Sequence, residues 1–299
     1  MEEILKVAIL QTSLDNKAAW STYAANKPKM NALEGVRVWN EIIHTMDDYV
    51  NLDDSRKPDV ILIPEFSVAE QFENEIKNLA DQTGSIIITG LDFKVTRNEV
   101  RNQALVAIPY RWPHGFRKSR AKTFYFGKHF PAAVEKNFLK ACGKEFEPCN
   151  EIYVLDAGDY GRIGLAICAD FFDIERFALY KGRIQHLFIL AYNKDVKSFL
   201  FLAEAISRLV YCNVIICNTG HYGGSICFSL KEKDWQRYIY RHEGANLFTS
   251  QIVDLPVKSF KESQKAKDGK GYKNAPPEYE LSYDDAKFST TFSRVLKLS

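Results

Sequence analysis

Short apolar runs separated by longer mixed segments set the pattern of this chain. Runs at Val7–Gln11, Val60–Pro64, Ser85–Gly90, Ala104–Pro109, Phe116–Phe126, Ile152–Asp156, Arg162–Cys168, His186–Ala191, Asn213–Thr219, Ser225–Leu230 and Ala245–Val253 read as strands. Many are rich in Ile and Val and apolar on both faces, which predicts central strands covered on each side. Asn31–Val50, Val68–Thr83, Ile174–Tyr180 and Ser198–Val210 read as helices, so strands and helices alternate as in an α/β protein. Within Ser198–Val210, Phe199, Leu202, Ile206 and Leu209 recur at helical spacing, the mark of a face packed on a sheet. No internal repeat is visible. From Lys258 to Lys273 the composition turns to Lys, Glu, Ser and Gly, which predicts a linker or extended arm. Lys287–Ser299 has enough apolar content to dock, with a partner subunit among the options.

Composition narrows the class. A chain of 299 residues, 46% hydrophobic and 26% charged, has the make-up of a globular protein with a sizeable core, as one large domain or two small ones. A net charge of +2 supplies no field that would draw it to nucleic acid or an acidic membrane. Met1-Glu-Glu-Ile-Leu-Lys6 carries acid where a signal peptide needs base. Runs such as Ile86–Ile88 and Val214–Cys217 are too short to span a bilayer. The expectation is a cytoplasmic protein without membrane contact. The six cysteines lack a zinc-like spacing. Cys212, Cys217 and Cys227 sit in or near apolar runs and read as small buried hydrophobes, and a reducing compartment fits.

Three segments carry candidate chemistry. In Asp59-Val-Ile-Leu-Ile-Pro-Glu65-Phe-Ser an apolar strand stops at Pro64 and presents a carboxylate at its tip, where α/β folds bind ligands. Partial desolvation there would raise the basicity of Glu65; the bland alternative is a solvated Glu opening a helix. In Tyr125-Phe-Gly-Lys128-His-Phe-Pro131-Ala-Ala-Val-Glu135, a Lys leaves an aromatic strand and a Glu follows across a Pro-marked turn. Lys128 could stabilise an anionic intermediate, or be a surface Lys of little energetic consequence. In Gly161-Arg-Ile-Gly-Leu-Ala-Ile-Cys168-Ala-Asp170 a Gly turn feeds a strand that ends in a thiol just before a helix, whose dipole favours thiolate. Taken alone, Cys168 reads as readily as a buried structural Cys.

Taken in order, the strand-end Glu, the K-x-x-P-x-x-x-E segment and G-R-x-G-x-x-I-C-x-D together resemble the nitrilase (carbon–nitrogen hydrolase) superfamily. Fainter echoes are Val7-Ala-Ile-Leu-Gln11, Asn193 after Leu190-Ala-Tyr, Arg208 with Asn213–Asn218, Gly223-Gly-Ser225 and Glu243-Gly-Ala-Asn-Leu. The resemblance runs from about Lys6 to Val257. It divides the chain into a carbon–nitrogen hydrolase domain at 1–257 and a charged C-terminal extension at 258–299. It implies a four-layer α-β-β-α sandwich with two mixed β-sheets, paired through a helical face into a homodimer or larger homo-oligomer.

The resemblance also implies the chemistry. Cys168 is the nucleophile, Glu65 the general base, Lys128 the oxyanion partner and Glu135 a second Glu beside the site. A small amide, nitrile or carbamoyl substrate would be cleaved through a thioester, with no metal or organic cofactor. Phe66, Ala169, Asp170 and Asn193 are the expected substrate contacts, the Ala169 N–H as an oxyanion donor, and Tyr192, His221 and Tyr222 further candidates for the pocket wall. Lys118 and Lys122 compete for the Lys role without its Pro and Glu spacing. The acid of the family's R-A-x-E-N segment is replaced by Val210-Tyr211-Cys212, the stretch Glu135–Gly143 lacks a Pro-Gly, and Trp20–Pro58 is longer than one helix requires. An acyltransferase that passes the thioester to an amine, or an inactive binding module on the same fold, remains an alternative. The basic, aromatic-flanked stretch Arg111, Arg117, Lys118, Arg120 and Lys122 near Trp112 and Phe116 fits an edge strand protected by charge better than a nucleic-acid surface; nucleic acid is not an expected partner.

Overall fold

The computed structural model describes residues 3–20, 28–113, 121–267, 269–288 and 293–298. Its strands in chain order are β1 (Ile4–Gln11), β2 (Val60–Val68), β3 (Ile86–Leu91), β4 (Lys94–Val95), β5 (Glu99–Arg101), β6 (Gln103–Ile108), β7 (Lys122–Gly127) and β8 (Glu145–Phe146). There follow β9 (Ile152–Asp156), β10 (Arg162–Ile167), β11 (His186–Ala191), β12 (Asn213–Asn218), β13 (Ser225–Phe228), β14 (Tyr238–His242), β15 (Thr249–Pro256) and β16 (Ser293–Lys297). The helices are α1 (Asn16–Trp20), α2 (Ala32–Val50), α3 (Glu73–Thr83), α4 (Ala133–Ala141), α5 (Ile174–Tyr180), α6 (Val196–Ile206), α7 (Lys258–Ala266) and α8 (Asp285–Phe288).

One sheet has the order β15-β1-β2-β3-β6-β7 and the second β14-β13-β12-β11-β10-β9-β16, with β4, β5 and β8 in a small third sheet. Both large sheets are mixed: β1-β2-β3 and β10-β11-β12 run parallel, and antiparallel neighbours flank each trio. The period of two along each strand sorts the side chains. In β1, Leu5, Val7 and Ile9 join the core shared with the second sheet, whereas Ala8 and Leu10 pack under α2 and α3. Val60 and Leu62 against Ile61 and Ile63 repeat the division in β2. Each such buried aliphatic side chain contributes about 2 kcal/mol. With α5 and α6 outside the second sheet, the result is an α-β-β-α sandwich. No helix of the described residues is long and apolar enough to cross a membrane.

Local signals account for the helix ends. Asn31 accepts the Leu33 N–H ahead of α2, Asp173 accepts those of Glu175 and Arg176 ahead of α5, and Gly84 closes α3 in the left-handed conformation.

Several elements differ from expectation. The strand expected to stop at Pro64 continues to Val68, with its register against β3 broken between Ile63 and Val68. The helix expected from Val68 begins at Glu73 after a short 3-10 turn. The run at Phe116–Phe126 is strand only from Lys122 among the described residues, since 114–120 lie outside them. The last strand of the first sheet starts at Thr249, not Ala245. In α6 the inward face is Phe199, Ala203 and Ile206, while Leu209 points outward on the π turn Ser207–Tyr211. That helix is apolar nearly all round, so spacing alone could not choose the face. Lys258–Ala266, expected as a linker, is the helix α7, anchored by buried Phe260 and by Gln264, whose Nε2 donates to the Ile184 and Tyr211 carbonyls. A polar average hides one well-placed Phe. The segment after it docks on its own chain, β16 pairing in parallel with β9. The helix α4 and the strand β14 had no counterpart in the sequence reading.

Candidate active site

Four elements of the sandwich converge at one end. The interruption of register in β2 leaves residues 64–67 bulged, with Phe66 at φ +65°. Gly90 on β3 makes this possible, because a Cβ there would lie 2.3 Å from the Glu65 Cα and 2.6 Å from the Pro64 carbonyl oxygen. Lys128 follows the end of β7, its N–H held by the Asn102 carbonyl at 2.8 Å. Glu135 sits in the first turn of α4, where its Oε2 accepts the Ala132 N–H at 3.1 Å. Cys168 follows β10 and opens a 3-10 turn with φ +44°, a conformation that a non-glycine residue adopts only when its surroundings enforce it.

One ammonium bridges two carboxylates. Lys128 Nζ lies 2.8 Å from Glu65 Oε1 and 2.7 Å from Glu135 Oε2, with both partners almost wholly buried. Asn102 Nδ2 donates to Glu65 Oε1 and Glu135 Oε1, each at 2.8 Å, and the Tyr192 N–H donates to Glu65 Oε2 at 2.9 Å. Burial works against the Lys128 ammonium, but Glu65, Cys168 and Glu135 outweigh it and hold its pKa well above the usual value. Burial pushes the Cys168 thiol up and the Glu65 carboxylate pushes it further, while Lys128 and the Tyr192 N–H pull it back; the net shift is upward. At rest the sulfur therefore keeps its proton, with a carboxylate beside it to receive it.

Cys168, Glu65, Lys128 and Glu135 all line one cavity of about 780 Å³. Phe66, Asn193, Tyr192 and Tyr222 line it too. Ala169 and Asp170, expected as substrate contacts, are not among its lining residues. Asp170 instead turns its carboxylate onto the N–H groups of His129 and Phe130, at 2.9–3.1 Å, and onto Arg176 at 3.2 Å. A buried acid seeks donors, and these lie under the loop that follows Lys128. His221 is also absent from the lining. Of the competing lysines, Lys122 is exposed on β7 and Lys118 lies outside the described residues. The fainter sequence echoes serve the framework: Ser225 Oγ donates to Gln11 Oε1 at 2.6 Å, and Asn218 accepts the Asn193 N–H at 2.9 Å. Trp112 packs on Tyr160, its Nε1 donating to the Asp59 carbonyl, which uses the ring for packing.

Sequence reasoning missed Asn102 and the cavity residues Trp20, Phe93 and Phe138. Asn102 follows Arg101 at no diagnostic spacing. The aromatics come from three separate segments that only the fold brings together.

No protein-family model matches the sequence, and no curated protein matches it. Solved structures do match in three dimensions. A CN-hydrolase superfamily protein of Xanthomonas campestris, with an arsenic adduct in its active site, superposes with a TM-score of 0.59 at 14% identity, covering 90% of this chain and 96% of that one. The Nit3 protein of Saccharomyces cerevisiae, a member of branch 10 of the nitrilase superfamily, gives 0.60 at 14%, covering 88% and 94%. The fold is that of the nitrilase superfamily. An amidase from Nesterenkonia sp. gives 0.56 at 13%, covering 86% and 92%. At these identities the nitrilase-superfamily likeness is one of architecture, and the chemistry of this chain has to be argued from its own side chains.

Proposed function

We propose that this protein hydrolyses a carbon–nitrogen bond of a small amide, nitrile or N-carbamoyl compound through a thioester on Cys168. The observation that carries the reading is the meeting of a thiol, a carboxylate and an ammonium from three separate elements at one cavity. As the sulfur attacks the substrate carbon, its proton passes to Glu65. Charge then builds on the substrate oxygen, or on the nitrogen of a nitrile. Lys128 spends two of its three N–H donors on Glu65 and Glu135, which leaves the third for that charge. With an amide, Glu65 returns the proton to the nitrogen as the bond breaks, releasing ammonia or an amine and leaving the thioester. Water loses a proton to Glu65, adds to the thioester carbon with Glu135 beside it, and the sulfur leaves and is reprotonated as the acid departs.

In the E41Q mutant of the Nesterenkonia amidase the acetamide moiety of fluoroacetamide adds covalently to the active-site cysteine, which supports by analogy a nucleophilic role for Cys168. Self-association belongs to the same reading. Ile174 on α5 and Phe201 on α6 are 80% and 70% exposed, with Phe172, Leu179 and Leu209 also uncovered, an apolar face suited to a second copy.

The test is incubation with a panel of amides, nitriles and N-carbamoyl compounds, reading ammonia release and the mass of the Cys168 peptide. The expected result is an acyl adduct on Cys168 and turnover that C168A and E65Q both lose while keeping their circular dichroism. Turnover retained by C168A overturns the proposal.

A further inference from the structure

The wall of the cavity has a chemistry of its own. Trp20, Phe66, Phe93, Phe138, Tyr192 and Tyr222 line it as a connected set of rings. Phe93 meets Phe66 at 4.7 Å and Phe138 at 6.1 Å, Trp20 meets Phe66 at 5.1 Å, and Tyr192 meets Tyr222 at 5.3 Å. The Tyr192 hydroxyl is committed to the Asn16 N–H and the Leu14 carbonyl, so the residue presents ring and not hydroxyl. A volume of about 780 Å³ far exceeds a two-carbon amide and lies in the range of ring-bearing ligands. Charge distinguishes the two ends. Glu65, Glu135 and Lys128 bind one another, and the other charged lining residues are Lys17 and Lys194, both exposed and so on the open side. Neither has an ion pair among the described residues; nearby Asp15 accepts the Lys17 backbone N–H and does not line the cavity. Aromatic walls also suit quaternary ammonium groups, but two cations at the mouth disfavour a cationic ligand.

We infer that the substrate has an apolar, ring-sized body held by this aromatic wall and an anionic group remote from the scissile bond, held by Lys17 and Lys194. This deepens the hydrolase reading and rests on it for the orientation of the substrate. A carboxylate and a phosphate offer the lysines the same chemistry.

Binding to C168A, which cannot turn over, provides the test. Calorimetry would compare 3-phenylpropanamide with its ring-para carboxylate and its ring-para phosphate. Each anionic amide should bind roughly five- to tenfold more tightly than the neutral one. The gap should shrink at about 0.5 M salt, close in C168A/K17Q/K194Q and persist in C168A/K17R/K194R. Preference for only one of the two anions also supports the inference and identifies the group. Equal binding of the neutral amide, no measurable binding of either anionic amide, or a gap that survives K17Q/K194Q overturns it. Wild-type protein given the preferred amide separates the two readings: selective binding in C168A without acid release or acylation of Cys168 rejects the hydrolase and leaves this inference standing.

Discussion

Asn102 contacts both carboxylates of the floor through a single nitrogen, and its carbonyl fixes the backbone of the lysine between them. Replacing it with Leu removes two hydrogen bonds to charged acceptors, each worth about 1.5–3 kcal/mol. N102L should therefore lower kcat by about 10- to 100-fold, with a smaller effect on KM, and N102D should do worse because it adds a third acid. Steady-state kinetics on whichever amide is turned over checks this; an unchanged kcat in both variants would show that Lys128 alone orients the pair. The raised pKa of Cys168 has a direct readout as well. Alkylation needs the thiolate, and a thiol held above its ordinary value of 9.0 is protonated at neutral pH. Labelling of the Cys168 peptide by iodoacetamide should keep rising through pH 9, and a plateau near pH 7 would contradict the shift.

At the scale of elements, the bulge of β2 depends on its neighbour. Introducing a methyl group at Gly90 presses on the backbone of residues 64–66, which cannot yield as a flexible side chain would. G90A should cost about 2–3 kcal/mol of stability and lower kcat/KM at least about tenfold by displacing Glu65; denaturant titration and kinetics measure the two separately. A G90A protein with wild-type kinetics would mean the bulge is not needed to aim Glu65. The sequence exposed some of this arrangement and hid the rest for identifiable reasons. Glu65, Lys128 and Cys168 each close an apolar run, so a periodicity switch marks them. The bulge leaves no such trace, because the residues that permit it, Gly90 and Phe66, belong to different strands. Asp170 is expected at the substrate from the resemblance, whereas it lies in a 3-10 turn with its carboxylate on the N–H groups of His129 and Phe130, an orientation the sequence does not display. Phe260 was hidden by the charged residues around it, whereas the apolar content of Lys287–Ser299 predicted docking without naming β9 as the strand that receives β16.

For the molecule as a whole, the exposed apolar side chains of α5 and α6 bear on the proposed self-association. If they pair two copies, I174D/F201D should convert a dimer into a monomer by light scattering while leaving the far-ultraviolet spectrum unchanged. A wild-type protein that is monomeric at micromolar concentration would remove the dimer. The second sheet has a further property in its order of strands: β9 gains its outer neighbour from β16, which is made after every other strand of both sheets. During synthesis the backbone donors and acceptors of β9 on that side stay open while the rest of the sandwich is already available to fold. A chain that lacks β16 would thus expose a bare strand edge on β9, the state in which chaperone capture should peak.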